Sequence, residues 1–205
     1  MSVVIGIKTK DGVVIGSDRQ VTKGQLKTNL TGDNSKIWPL DNFEKIIMGG
    51  VGSLRSIQII QTMRKMITLD ELMDGIDYSF VVRNLYNKIF KELVDYGRIP
   101  KDVNGNFIPT FDCAFLFAIQ NNLFAIEQDG SVIDTDDYIV IGSGEEVASG
   151  VLENNKDKDP YTRIKEAIKA CSDKTLYVNN KIDFLTTIIP DGKETKSKNK
   201  KKEVK

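Results

Sequence analysis

Short runs of β-branched residues open the chain, and their spacing predicts two antiparallel pairs of strands. Val3 to Lys8 and Val13 to Asp18 form the first pair, because the Asp11-Gly12 dipeptide between them favours a tight hairpin turn. A polar stretch from Arg19 to Ser35 separates this pair from the next. Residues 36–48 carry the second pair of strands, which ends in two glycines.

The period of the apolar residues then changes to that of a helix. Ser53 is the predicted N-cap of a helix whose inner face carries Leu54, Ile57, Ile60 and Met63. A continuous apolar stripe predicts a second helix from Ser79 to about Tyr96. Three strand-like runs follow, at residues 113–119, 123–127 and 138–141.

The last third of the chain predicts two more helices and one strand. One helix runs from Glu145 to about Glu153, and the next starts with Asp159 as N-cap and Pro160 at its first position. The strand covers Phe184 to Ile189. Strand clusters separated by helix pairs predict an α+β fold, a four-layer αββα sandwich in which two antiparallel sheets pack face to face beneath helices on both outer sides.

Composition favours one globular domain over residues 1–191, with a separate tail. The 205 residues are 40% hydrophobic, and no apolar run approaches a membrane span or a signal peptide, so we expect a cytoplasmic protein that binds no membrane. Residues 192–205 hold seven lysines and two glutamates, which predicts a disordered lysine-rich tail. Because this tail lacks aromatic residues and arginines, we expect it to be solvated and not to bind nucleic acid.

Histidine is absent from the chain, which excludes Ser-His-Asp and Cys-His catalysis. Cys113 and Cys171 lie in apolar segments without metal-like spacing and are predicted to be reduced core thiols. Any hydrolytic mechanism therefore needs another base. If Met1 is removed, Ser2 carries both a hydroxyl nucleophile and an α-amino group whose reference pKa is roughly 7.7–8.0, so one residue can supply nucleophile and base.

Several ordered motifs now coincide with those of a known family. The chain resembles mature proteasome β-subunits and the bacterial heat-shock peptidase HslV, which are N-terminal nucleophile (Ntn) hydrolases. The resemblance spans about Ser2 to Ile189. The segments that carry it are 2–19, 34–37, 49–53, 139–144 and 172–179.

The resemblance implies a role for each matching residue of the site. Ser2 takes the place of the nucleophile, with its α-amino group as general base. Asp18 and Lys36 match a buried acid and lysine, of which Lys36 favours the neutral amine and stabilises negative charge on the hydroxyl. Gly50, fourteen residues after Lys36, matches the glycine whose N–H holds the oxyanion.

The end of the matched region adds supporting residues. Ser143 matches a serine that hydrogen-bonds near the terminal amine, and Asp173 matches an acidic residue that supports this serine. By the same resemblance Ser172, Thr175 and Val178 offer backbone carbonyls to a monovalent cation such as Na⁺. No cofactor is required for the implied reaction.

The sequence departs from the family at two informative positions. Ser2 replaces the usual threonine, and the lost methyl group removes a constraint on the side-chain rotamer, which predicts slower turnover. Leu176 stands where many proteasome subunits have a serine, which favours an HslV-type relative. The longer helix pair and the loop from Pro100 to Pro109 leave the choice between proteasome and HslV subfamilies open.

The leading hypothesis is an endopeptidase for intracellular protein degradation that acts on peptides or unfolded proteins inside a homo-oligomeric ring. The resemblance implies an AAA+ ATPase partner. The given sequence has no Gly-x-x-x-x-Gly-Lys-Ser/Thr motif, so we expect no ATPase activity within it. Two alternatives stay open: a noncatalytic structural subunit with the same fold, and an Ntn amidase for a small molecule.

Overall fold

The computed structural model describes residues 2–40 and 43–189. Its strands are β1 (Val3–Thr9), β2 (Gly12–Asp18), β3 (Gln20–Lys23), β4 (Leu26–Asn29), β5 (Ile37–Leu40), β6 (Phe43–Gly52), β7 (Cys113–Ile119), β8 (Asn122–Ile126), β9 (Val132–Asp134), β10 (Tyr138–Gly142) and β11 (Ile182–Thr186). Its α-helices are α1 (Leu54–Thr62), α2 (Leu69–Asp74), α3 (Tyr78–Phe80), α4 (Tyr86–Asp95), α5 (Glu145–Asn154) and α6 (Pro160–Lys174).

Two antiparallel sheets form the centre of the fold. The first has the strand order β10-β1-β2-β11, and the second has the order β5-β6-β7-β8-β9. Their facing sides bury a common layer of side chains that includes Val4, Ile15, Ile47, Leu116 and Ile141. Burial of this layer removes apolar surface of both sheets from water and holds them face to face.

Helices cover the outer side of each sheet. Side chains of α1 and α4, such as Ile60 and Ile89, pack with Phe115 and Phe117 on the second sheet. Those of α5 and α6, such as Leu152, pack on the first. The predicted four-layer αββα arrangement is therefore confirmed.

Local sequence signals place several of these elements correctly. The first hairpin turns between Thr9 and Gly12 as predicted. Asp159 caps α6 by accepting a hydrogen bond from the Thr162 N–H at 3.1 Å. Ser53 does precede α1, but its side chain makes no capping bond; its hydroxyl accepts from Arg98 instead.

Other elements escaped the sequence pattern. Residues 20–29 form the hairpin β3–β4, in the polar stretch where no strand was predicted, and the turn uses Gly24 at φ +58°. The second helix is interrupted by a π-helical turn at Val81–Leu85. Helix α2 was missed although Thr68 and Glu71 form a capping box, because α2 has no buried residue to create a periodic apolar face.

Three further sequence expectations concern the cysteines, membrane-spanning helices and the tail. Cys113 and Cys171 are buried and free, as expected for core thiols. Along residues 2–40 and 43–189, no helix is both apolar and long enough to cross a bilayer. The predicted tail, residues 192–205, lies outside the described residues.

Candidate active site

Ser2 lies at the start of β1, between the ends of two neighbouring strands. Val3 pairs with Gly142 of β10, and the Val3 N–H donates to Asp18 Oδ1 at the end of β2, with 3.1 Å between the two atoms. Ser2 is 8% exposed. The central position of β1 in its sheet thus holds Ser2 in a nearly closed setting.

A buried ion pair lies beside this terminus. Lys36, just before β5, places its Nζ 2.7 Å from Asp18 Oδ1, and the side chains of Lys36 and Asp18 are 4% and 0% exposed. The second oxygen, Oδ2, accepts hydrogen bonds from the N–H groups of Gln20 at 2.8 Å and Asn179 at 3.4 Å. Each oxygen of the Asp18 carboxylate therefore accepts two hydrogen bonds, and these bonds compensate for its burial.

Burial also changes the acidity of the lysine. Removal from water lowers the pKa of the Lys36 ammonium, and the attraction of the Asp18 carboxylate opposes this shift without cancelling it. A lysine of this kind gives up a proton more readily than a surface lysine does. The pair therefore suits proton transfer and the stabilisation of negative charge next to Ser2.

The end of β10 fits tightly around the Ser2 carbonyl. Gly142 has φ +105°, and a Cβ at this position would lie 2.2 Å from the Ser2 carbonyl oxygen, so only glycine is accommodated. The next residue, Ser143, is exposed and donates its hydroxyl to the same oxygen at 3.4 Å. The structure thus brings Ser143 to Ser2, together with Asp18 and Lys36.

Gly50 is placed differently from the sequence expectation. Its N–H donates to the Lys36 carbonyl oxygen at 2.8 Å, as part of the pairing of β5 with β6. An amide with a partner inside the sheet is not a free oxyanion donor in this conformation. Gly52, two residues further along β6, lines the cavity beside Ser2.

Asp173 and the candidate cation ligands lie along the end of α6 and the loop after it. Asp173 is exposed, and within the described part of the chain no hydrogen bond joins it to Ser143. Val178 is buried, and the buried Thr175 hydroxyl has no hydrogen-bond partner among the described residues. An unsatisfied oxygen at this loop fits a cation held by oxygen ligands, whereas no cluster of acidic, histidine or cysteine side chains among residues 2–40 and 43–189 would hold a metal.

A cavity of about 120 Å³ opens at Ser2 and Lys36. The hairpin β3–β4, which the sequence pattern missed, supplies Gln20 and Thr22 to its wall. Gln61 of α1 lies on the same cavity. Gly24 was the local turn signal for this hairpin, but the segments on either side of it carry no alternating apolar pattern that would have predicted strands.

The fold and site together define the class of protein. Two face-to-face antiparallel sheets between helical layers are the arrangement of the Ntn hydrolase fold, and in this chain a buried acid and lysine lie beside the residue that precedes the first strand. The family model for proteasome subunits matches residues 2–186. The chain belongs to the proteasome-subunit family.

Individual relatives point to both branches of this family. The proteasome subunit beta of Nanoarchaeum equitans is 26% identical over 172 residues, which cover 82% of this chain and 80% of the relative. The ATP-dependent protease subunit HslV of Campylobacter hominis is 24% identical over 184 residues, covering 87% and 92%. The crystal structure of eukaryotic HslV from Trypanosoma brucei has a TM-score of 0.63 at 18% identity, over 90% of this chain and 98% of that one, and this likeness shows the shared fold.

Proposed function

We propose that this proteasome-type subunit is a peptidase in which Ser2, once Met1 has been removed, is the nucleophile. The observation that carries the proposal is the buried Asp18–Lys36 pair beside the strand that begins at Val3. Burying two charges costs several kcal/mol of desolvation that a pair of apolar side chains would avoid. Such a pair contributes little to the fold, so its position next to Ser2 favours a role in chemistry.

In the proposed reaction the α-amino group of Ser2 accepts the hydroxyl proton as Oγ attacks the substrate carbonyl. Lys36 keeps this amine neutral and stabilises the developing alkoxide, while Asp18 holds Lys36 in place. The tetrahedral intermediate then collapses to an acyl ester on Ser2, and the proton passes to the departing amine. Water hydrolyses the ester and restores Ser2.

The oxyanion of the tetrahedral intermediate needs a backbone donor. We propose that the Gly50 N–H is this donor. To bind the substrate oxygen it has to leave the Lys36 carbonyl, which requires a small shift of β5 against β6. Ser143, which touches the Ser2 carbonyl, is proposed to orient the terminal amine. Asp173, exposed near the end of α6, is proposed to support Ser143.

We further propose a homo-oligomeric ring, an ATPase partner and a Na⁺ ion bound by the carbonyls of Ser172, Thr175 and Val178. The ring and the partner are supported by family membership and by one relative, which is an ATP-dependent protease subunit, HslV. The Na⁺ site is supported by the buried hydroxyl of Thr175 in the same loop, for which the described part of the chain offers no hydrogen-bond partner.

The test combines the intact mass of the N-terminus with hydrolysis of fluorogenic peptides by the assembled protein. We expect loss of Met1, clear hydrolysis by the wild type and none by Ser2→Ala. Ser79→Ala, which alters an exposed serine at the start of a distant helix, is the matched control and should keep full activity. Retained Met1, or equal activity of Ser2→Ala and wild type, would contradict the proposed nucleophile, and a stable but inactive assembly would favour the noncatalytic alternative.

A further inference from the structure

Lys36 belongs to the second sheet, whereas Ser2 and Asp18 belong to the first. Lys36 comes directly before β5, while Ser2 precedes β1 and Asp18 ends β2. The alignment of the two sheets therefore decides whether Lys36 Nζ reaches the site. The Lys36–Asp18 ion pair joins the sheets, but the flexible stem of a lysine leaves its backbone free to shift.

A second polar link joins the two sheets one residue before Lys36. The Ser35 hydroxyl donates to Asp183 Oδ2, on β11 of the first sheet, with 2.9 Å between the two oxygens. The same hydroxyl accepts a hydrogen bond from the Ile37 N–H at 3.4 Å. Ser35 thus ties the residues on both sides of Lys36 to Asp183, and this link holds the backbone that the ion pair leaves free.

The Asp183 carboxylate is itself held in place by Arg19. Arg19 Nε donates to Asp183 Oδ1 at 2.7 Å, and Arg19 Nη2 donates to the same oxygen. Oδ1 is therefore occupied by the guanidinium and Oδ2 by Ser35. The side chains of Arg19 and Asp183 are 39% and 21% exposed, and an ion pair with this much exposure adds little to the stability of a fold. Its position against the Lys36 segment favours a role at the site.

Asp183 also places a second negative charge near the Lys36 ammonium. Burial lowers the pKa of Lys36, and the attraction of Asp18 and then of Asp183 opposes this shift. Asp183 therefore acts on Lys36 through a chain of hydrogen bonds and through its charge.

We infer that Asp183, given the proposed function, is a positioning residue for Lys36: it anchors the Lys36 segment to the first sheet through Ser35 and attracts the ammonium across the gap. Asp183 needs no contact with the substrate in this role. The two contributions can be separated, because Ser35→Ala breaks the link and keeps the carboxylate, whereas Asp183→Asn removes the charge and keeps the size of the side chain.

The first arm of the test measures the link by peptide hydrolysis with the assembled protein. Ser35→Ala should lower kcat roughly tenfold and leave KM within about twofold, because a displaced Lys36 affects the chemical step more than binding. Ser35→Thr keeps the hydroxyl and should recover most of the activity. Ser35 also lines the cavity at Ser2, so a rise in KM with unchanged kcat would show that it acts on the substrate and would contradict the inference.

The second arm measures the charge by the pH profile of kcat. In the described part of the chain, the charged groups that act on Lys36 are Asp18 of β2 and Asp183 of β11, and the proposed Ser2 amine shares the site. Loss of a negative charge lowers the pKa of neighbouring ammonium groups, so Asp183→Asn should move both limbs of the profile to lower pH by about half a unit. A merely structural role would reduce kcat without moving the limbs.

Asp137→Asn is the matched control for this arm. Asp137 also pairs with an arginine, Arg163, but its carbonyl accepts from the Lys8 N–H, at the opposite end of β1 from Ser2. The control should leave the pH profile in place. An unmoved profile in Asp183→Asn, or an equal movement in the control, overturns the inference.

The third arm requires no activity. Asp183→Asn and Asp137→Asn are each introduced into the wild type and into Lys36→Met, and urea unfolding is compared at one protomer concentration. Asp183→Asn should lower the urea midpoint more in the wild type than in Lys36→Met, where the carboxylate has lost its ammonium, and Asp137→Asn should act equally in both. If the wild type hydrolyses no peptide, the proposed function fails, but this difference still supports the coupling of Asp183 to Lys36. Equal effects of Asp183→Asn in both backgrounds overturn the inference in an active or an inactive protein.

Discussion

The replacement of Asp18 by asparagine tests the electrostatics of the site most directly. This change keeps the size of the side chain but removes the charge that compensates the buried Lys36 ammonium. Oδ1 accepts from Lys36 and from the Val3 N–H, and Oδ2 accepts from the Gln20 and Asn179 N–H groups. Whichever oxygen becomes NH₂ will face donors, so hydrogen bonds are lost together with the charge.

The magnitude follows from the burial of the pair. Removing one partner of a buried ion pair costs about 3–5 kcal/mol, because the other charge is left uncompensated. For a chain of this length that corresponds to a decrease in Tm of roughly 6–20 °C. The cost applies in full here, since Lys36 is 4% exposed and Asp18 is fully buried.

Urea unfolding at a fixed protomer concentration measures this cost, with the fluorescence of the single tryptophan, Trp38, which is 5% exposed, as the signal. The control is Asp112→Asn, which breaks the half-exposed pair with Arg98 and should cost about 1 kcal/mol or less. A double variant, Asp18→Asn with Lys36→Met, removes both charges and should recover part of the stability. The reasoning is refuted if Asp18→Asn costs no more than Asp112→Asn, or if the double variant loses the sum of the two single effects.

Three further predictions concern other parts of the molecule. Between its lowered folded-state pKa and the ordinary value of 10.5, Lys36 binds fewer protons folded than unfolded, so the free energy of unfolding should rise with pH in this window; urea unfolding of the wild type and of Lys36→Met should show the rise only in the wild type. Gly142→Ala should lower Tm and abolish peptidase activity, since φ +105° costs a non-glycine residue roughly 1–2 kcal/mol and the new Cβ would displace the Ser2 carbonyl; Gly150→Ala, a helical glycine with open space around it, should instead keep activity and leave Tm equal or higher. Asp159→Ala removes the N-cap of α6 and should reduce the free energy of unfolding by about 0.5–2 kcal/mol without changing peptidase activity; a larger loss would show that Asp159 does more than cap the helix.

The outline of the fold was predictable because its strands and inner helices carry strong local patterns. The hairpin β1–β2 follows from short runs of β-branched residues on either side of Asp11-Gly12, and α6 follows from Asp159-Pro160 and its apolar stripe. The hairpin β3–β4 was not predictable in this way. Its second strand, Leu26–Asn29, is exposed at every position, so no burial pattern appears in the sequence.

The site was predictable to a lesser degree. The motif order associated Ser2 with Asp18, Lys36 and Ser143, and the structure places these residues together. The hydrogen bond from Gly50 N–H to the Lys36 carbonyl depends on the register of β5 with β6, which the spacing along the chain does not reveal.

By itself, the sequence determined the types of most elements, the absence of histidine and the presence of a serine that precedes the first strand. These are local properties, because periodicity, capping and composition are decided over a few neighbouring residues. Only the tertiary structure decided that Lys36 and Asp18 lose water together, and that a missed hairpin helps to form a cavity at Ser2. The physical reason is that desolvation and cavity shape arise from segments distant in the chain that meet only when the two sheets and their helices pack.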